Sequence, residues 1–245
     1  MPEPPASSLL AVWREVASRK RDWGTPLPLQ YLFRLRRPAI LGTLRRTRPL
    51  SDVWGFDRGT PVDRFYIERF LWERREDIHG RVLELMDSGY TDLYGTDVTQ
   101  ADVLDIDDSN PKATIVDDLT TGERIPADTY DCFILTQTLN IVYDVRGALR
   151  TAHRVLRPGG VLLVTVPAVS RIWRPGHDYW RFTDTSIRLL VEEAFGDQVQ
   201  VRAYGNVLTG IAFLAGMAHQ ELTRRELATN DPRFPVTIAV RAVKQ

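Results

Sequence analysis

The sequence predicts an α/β fold built on a mainly parallel sheet with helices on both faces. Three observations carry this. Apolar runs of strand length recur at 81–85, 98–104, 113–116, 130–136 and 161–166. Between the last two, Ala148, Leu149, Ala152, Val155 and Leu156 repeat at helical spacing, and Pro158-Gly159-Gly160 is read as the stop. Strand, helix, strand in this rhythm is the signature of parallel pairing. At 245 residues, 43% of them hydrophobic, the chain can bury a full core as one large domain or as a domain plus an extension.

Composition narrows the function classes. The formal net charge is zero, which argues against a mainly electrostatic grip on nucleic acid or on an anionic membrane. The lone Cys132 lies in an apolar run and cannot form an internal disulfide, as fits a reducing cytoplasm. Met1–Ser8 is Pro-rich without a basic start, so no signal peptide is expected. The longest apolar stretch, Ile211–Ala218, is too short to cross a bilayer. A cytoplasmic protein with no nucleic-acid or membrane partner is the expectation, and a homo-oligomer remains open.

Taken in order, residues 1–59 read as a helical N-terminal extension and 60–245 as the main domain. Leu9, Leu10, Val12, Trp13 and Val16 fall at helical spacing, predicting an amphipathic helix over Leu9–Arg21. Pro26, Pro28, Pro38 and Pro49 then punctuate an Arg-rich segment, more simply a solvated face than a phosphate site. Thr60 and Pro61 read as N-cap and first position of a helix running to about Glu76, with Asp63 near its positive end. Val62, Phe65, Tyr66, Ile67, Phe70 and Leu71 form its apolar face. Tyr66 and Arg64 have a second reading, as groups reaching the open end of the sheet. About twelve residues separate Leu85 from Val98, so the helix of that crossover must be short or absent. In the last third, Thr183 caps a helix to about Phe195, Gln198–Ala203 is a strand, Val207–Leu222 is apolar and helical, and Val236–Val243 is the closing strand.

Two stretches concentrate chemistry. Arg81–Gly89, RVLELMDSG, reads as a buried strand entering a turn, with Glu84 a carboxylate that needs donors. A ligand amine or hydroxyl would supply them; so would a neighbouring backbone or an Arg. Pro167–Phe182 is a long segment without helix or strand pattern, the kind that serves as a functional lid. Within it His177 and Asp178 suit a base and its orienting carboxylate, or else a pair of pins holding the loop. His153 and His219 fall on predicted helices, and no paired His, Cys or carboxylate spacing suggests a metal.

Val82-Leu83-Glu84-Leu85, Asp118-Leu119, Tyr130–Leu135 and above all Ala148–Pro167, ALRTAHRVLRPGGVLLVTVP, resemble the class I S-adenosylmethionine-dependent methyltransferases of the bacterial small-molecule kind. The similarity covers about Thr60 to Val243. It implies a three-layer Rossmann-like methyltransferase fold, a seven-stranded sheet whose last strand is antiparallel, and S-adenosylmethionine at the carboxyl ends of the first strands. By resemblance, Glu84 lies near the methionine moiety, with Met86 and Gly89 in the turn beside it. Asp102, next to Val103, stands for the ribose-binding acid, and Asp118 and Leu119 for the pair at the adenine. Gln137 lines the transfer channel and Tyr66 reaches the same site. The turn departs from the family's glycine-rich form: Met86, Ser88 and Tyr90 occupy its three glycine positions.

The activity implied is methyl transfer to a hydroxyl or amine of a small-molecule acceptor, such as a sugar or natural-product intermediate, with His177 and Asp178 as catalytic pair. The alternative is a protein of this fold that has lost methylation and serves as a binding or partner subunit. A nicotinamide oxidoreductase is disfavoured because no Gly-x-Gly-x-x-Gly follows the first strand.

Overall fold

The computed structural model describes residues 42–245. The predicted Leu9–Arg21 helix and most of the Arg-rich segment lie outside them. Residues 48–245 form one compact unit. It begins earlier than the expected boundary at 59/60, because the Leu50 amide donates to the Ala215 carbonyl at 2.7 Å and Gly216 packs against the Ser51 backbone.

Its core is a seven-stranded sheet: β1 (Gly80–Leu85), β2 (Val98–Asp105), β3 (Ile115–Val116), β4 (Tyr130–Thr136), β5 (Leu156–Pro167), β6 (Val199–Tyr204) and β7 (Thr237–Val243). The order is β3-β2-β1-β4-β5-β7-β6, and only β7 is antiparallel to its neighbours. The strand order reverses between β1 and β4, the place where an open α/β sheet forms a crevice at its carboxyl edge.

Alternate side chains of each strand enter opposite cores. Phe133 and Leu135 of β4 face the layer of α3 (Val145–Val155) and α4 (Asp184–Phe195), where Leu149, Ala152, Ile187 and Val191 are buried. Cys132 and Ile134 face the layer of α1 (Val62–Glu73) and α5 (Val207–Leu214), against Ile67, Phe70, Leu71 and Phe213. Both faces of the sheet are therefore apolar, as a parallel sheet between helices requires. The remaining helices are short: α2 (Gly89–Tyr94) in the cramped first crossover, as its length predicts, and α6 (Arg224–Ala228).

Several element ends differ from the sequence reading. Thr60 does not cap α1: its hydroxyl accepts from Gln220 Nε2 at 3.2 Å, Pro61 is the N-cap, and the helix ends at Glu73, followed by a 3₁₀ turn. Thr183 does cap α4, in a reciprocal pair with Ser186. Pro158-Gly159-Gly160 is not the stop after α3. The helix ends at Val155, and the glycines lie within β5, where Gly159 donates to the Lys244 carbonyl and the Gly160 carbonyl accepts from the Lys244 amide. The 207–222 helix is cut at Leu214, because Gly216 turns the chain with φ +74° towards the Ala218–Pro61 bridge. His219 accordingly sits in a 3₁₀ turn. No helix of the described residues is long and apolar enough to cross a membrane.

Candidate functional site

At the β1/β4 reversal lies a cleft of about 520 Å³, within the range of small-molecule sites. Its floor is made by the ends of the two strands and the turns beyond them. Both turns are strained in the same way: Met86 follows β1 with φ +68° and Gln137 follows β4 with φ +48°. Side chains other than glycine rarely adopt this left-handed backbone, at a cost of about 1–2 kcal/mol per residue. A third residue of this kind, Trp54 at φ +59°, lines the same cleft. Strain gathered at adjacent strand ends marks a site held for a purpose other than stability.

The Met86 backbone lies in the left-handed region that glycine adopts most readily, so a strained side chain occupies this turn. Its amide donates to the Leu104 carbonyl at 3.0 Å and its carbonyl accepts from Asn110 Nδ2 at 2.8 Å. The side chain is mostly exposed at the cleft.

Glu84 supports the next turn. Its buried carboxylate accepts from the Tyr90 amide at 3.1 Å, the Thr91 amide at 2.8 Å and the Thr91 hydroxyl at 2.7 Å. These are orphan donors at the start of α2, so the backbone-capping reading of this residue describes its bonds. Burial raises its pKa and the three donors only partly offset that. Gly89 donates to Asp87 Oδ1 at 3.0 Å within the same turn.

The structure thus brings Glu84, Met86, Gly89 and Gln137 together on one cleft, with Asp178 at its far wall. The other sequence candidates do not line it. Tyr66 is fully buried among the α1 core residues, stacked on Tyr204, so its core reading holds. Asp102 is not at the end of β2: the strand runs on to Asp105, and Asp102 pairs in register with Leu83 in mid-sheet. There it is buried and accepts from Arg81 Nε at 2.7 Å and Gln100 Nε2 at 2.9 Å. Val103 is buried beside it, its amide donating to Thr114 Oγ1. Asp118 caps the Thr120 amide and hydroxyl, both at 2.8 Å, and Leu119 is buried in the α3/α4 core.

The His177–Asp178 pair does not form. Asp178 accepts from Arg181 through both oxygens and from the Trp173 amide at 2.8 Å, while His177 lies exposed off the cleft. The carboxylate is a pin. Arg181 also donates to the Arg171 carbonyl, and the Tyr179 and Trp180 amides donate to the Asn140 carbonyl at 2.8 and 3.1 Å. These bonds draw the 168–182 segment across the cleft mouth, adding Ser170, Arg171 and Trp173 to its wall.

Sequence reasoning missed Asn140 and the Trp54–Arg171 contact, in which the guanidinium lies 4.2 Å from the indole centroid. Asn140 lies in the 3₁₀ turn Leu139–Ile141 that follows Gln137, and no local pattern in the sequence marks it. Asp63 and Arg64 also line the cleft. Arg64 reaches Tyr90 Oη at 3.2 Å, and burial raises the Asp63 pKa against the pull of Arg64.

Two outcomes check these assignments. Asp102→Ala strands a partly buried guanidinium, so urea denaturation should show a loss of about 1–3 kcal/mol. Asp178 is pushed up by burial, yet Arg181, the Trp173 amide and the Asn140 side chain hold it below the usual carboxylate range. A depressed carboxyl stabilises the fold above its unfolded value of about 3.9 and loses that contribution as pH falls through the lower folded value. Fluorescence of Trp173 and Trp180 should therefore stay level from pH 7 to about 4 and change only below; a step near pH 6 would contradict the pin.

Residues 79–164, which span β1 to most of β5, match the family model described as a methyltransferase domain. A SAM-dependent methyltransferase from Archaeoglobus fulgidus superposes with a TM-score of 0.51 at 12% identity, covering 74% of this chain and 94% of that one. A chain from the complex of the Haloferax volcanii Trm112 methyltransferase activator with a methyltransferase gives 0.51 at 18% identity, covering 82% and 100%. At such identities the likeness is one of fold. No curated protein matches the sequence. The family match falls on the strands and turns that build the cleft, so this part of the chain is similar to a methyltransferase domain and the sheet has the fold of the solved methyltransferases.

Proposed function

We propose that the protein transfers a methyl group from S-adenosylmethionine to a hydroxyl or amine of a small molecule, such as a sugar or natural-product intermediate. The observation that carries this is the match of residues 79–164 to a methyltransferase domain, which falls on the strand ends and turns lining the cleft, Glu84, Met86, Gly89 and Gln137 among them.

The cofactor fits the same cleft. The Met86–Gly89 turn would hold its methionine end; Asp105, the acid that does end β2, accepts from the Asp107 amide and from Asn110 Nδ2, which also holds the Met86 carbonyl. When bound, S-adenosylmethionine supplies a methyl carbon whose bond to the sulfonium sulfur breaks as the bond to the acceptor atom forms, leaving a neutral thioether. The chain's part is alignment and exclusion of water, the larger share of catalysis for a displacement with so good a leaving group. Trp54, Phe56 and Trp173 give the wall an apolar, aromatic character suited to a ring-shaped acceptor.

A hydroxyl acceptor must also lose its proton. Of the carboxylates on the cleft, Glu84 is committed to α2, Asp87 to Lys112 and the Gly89 amide, and Asp178 to Arg181. Asp63 has one oxygen on the Arg64 amide and its other oxygen without a partner among the described residues. It is the least engaged of the four, and burial raises its pKa, so it replaces His177 as the base.

Titration calorimetry with S-adenosylmethionine and S-adenosylhomocysteine should show binding of both, with Asp102→Ala unchanged in affinity. Failure of either compound to bind sinks the proposal. Asp63→Asn should keep that affinity and lower turnover by about 10²-fold or more; full turnover would remove Asp63 from the reaction.

A further inference from the structure

The charged side chains lining the cleft are those of Asp63, Arg64, Glu84, Asp87, Arg171 and Asp178. All but one are engaged. Asp63 holds the Arg64 amide, Arg64 donates to Tyr90 Oη, Glu84 caps α2, Asp87 pairs with Lys112 and Asp178 with Arg181. Arg171 is the exception: the residue is exposed, and among the described residues its guanidinium makes no hydrogen bond and no ion pair. It lies instead over the Trp54 indole.

Both sides of that contact are fixed at the backbone. Buried Ser51 accepts through Oγ from the Val53 amide at 3.1 Å and the Gly55 amide at 2.9 Å, closing the turn in which Trp54 takes its left-handed backbone. Gly55 packs so closely on the Met217 backbone that a Cβ there would come within 2.8 Å of the carbonyl oxygen. On the loop side, the Arg171 carbonyl accepts from Arg181 Nη2 at 2.9 Å. A cation over a ring uses the ring's electrostatic face and none of its own N–H bonds, so the planar fork of donors stays available to an oxyanion. Holding a long side chain in one place beforehand also lowers the entropy lost when a ligand binds it.

We infer that the methyl acceptor carries an oxyanion, a carboxylate or a phosphate, and that Arg171 binds it. The inference rests on the methyl-transfer reading and narrows its acceptor to an acidic small molecule. The cofactor's own carboxylate has another cation to meet: Arg64, bonded to Tyr90, belongs to the side of the Met86–Gly89 turn, whereas Arg171 comes from the segment after β5. Arg171 thereby becomes a specificity residue and Trp54 a positioning residue that acts through it.

The test uses the full chain saturated with S-adenosylhomocysteine, with phenylacetate, phenyl phosphate and uncharged benzyl alcohol as probes whose ring suits the aromatic wall. Affinities are read by titration calorimetry at pH 7, and the place of binding by the ¹⁵N–¹H resonance of Arg171 Nε. At least one of the two acids should shift that resonance saturably and bind about tenfold or more tighter than benzyl alcohol, and the tighter of the two names the anion. Arg171→Gln should abolish the preference and leave the affinity for S-adenosylhomocysteine unchanged; Arg171→Met carries the same expectation should the first variant fail to fold. Trp54→Leu should weaken the acid about threefold or more and Trp54→Phe restore it. Equal binding of acids and alcohol, binding of neither acid, or a preference that survives loss of the guanidinium overturns the inference. So does a loss of S-adenosylhomocysteine affinity in Arg171→Gln, which would assign the arginine to the cofactor. If S-adenosylhomocysteine does not bind the wild-type chain, the methyl-transfer reading falls, and the acid titrations repeated without it still read Arg171 by itself.

Discussion

A buried carboxylate at the end of a central strand has to be satisfied, and the way Glu84 is satisfied sets the shape of everything around the cleft. Its oxygens gather the first free amides of α2, which forces the chain to turn back within four residues of β1. That tight return is what puts Met86 into left-handed backbone and lays the Met86–Gly89 turn along the sheet edge. The carboxylate takes part in the site by holding the backbone that would meet a ligand. Its raised pKa shows the cost, since ionising a group so enclosed is opposed by burial.

The second half of the cleft is organised from β4 and the loop. Gln137 and Asn140 hang from one turn, and the Asn140 carbonyl anchors the Tyr179 and Trp180 amides while Asp178 and Arg181 cross-link the loop to itself. Trp180 adds a bond from its indole to the Val142 carbonyl at 3.0 Å. The long segment read from the sequence as a lid is thus ordered by charge-assisted and main-chain hydrogen bonds in place of an apolar core of its own. The same segment contributes Ser170, Arg171, Trp173 and Asp178 to the cleft wall, opposite the Gln137–Asn140 turn.

How much of this was legible in the sequence depended on whether the signal was local. β4 and β7 announce themselves as apolar runs, and Thr183 announces α4 because a cap acts over three residues. The short first crossover followed from counting residues. Where the deciding contact is distant in sequence, local reading failed. Asp102 and Asp105 look alike as acids in an apolar run; only the pairing of Leu83 with Asp102 and of Asp105 with Val116 shows which one reaches the edge. Pro158-Gly159-Gly160 has the composition of a helix stop, yet its glycines are tied to Lys244 at the far end of the chain. His177 and Asp178 are neighbours in sequence, and the ion pair with Arg181 separates their roles.

The central claim is that one cleft at the β1/β4 reversal holds the cofactor with its reactive end towards Gln137 and Asn140. A crystal structure of the complex with S-adenosylhomocysteine tests it most directly. Density along the Met86–Gly89 turn, with the thioether sulfur directed at the Gln137–Asn140 pair, is the result expected. Density elsewhere, for example in the apolar groove between Phe182 and Phe234, or an orientation that points the sulfur away from those two amides, would contradict it.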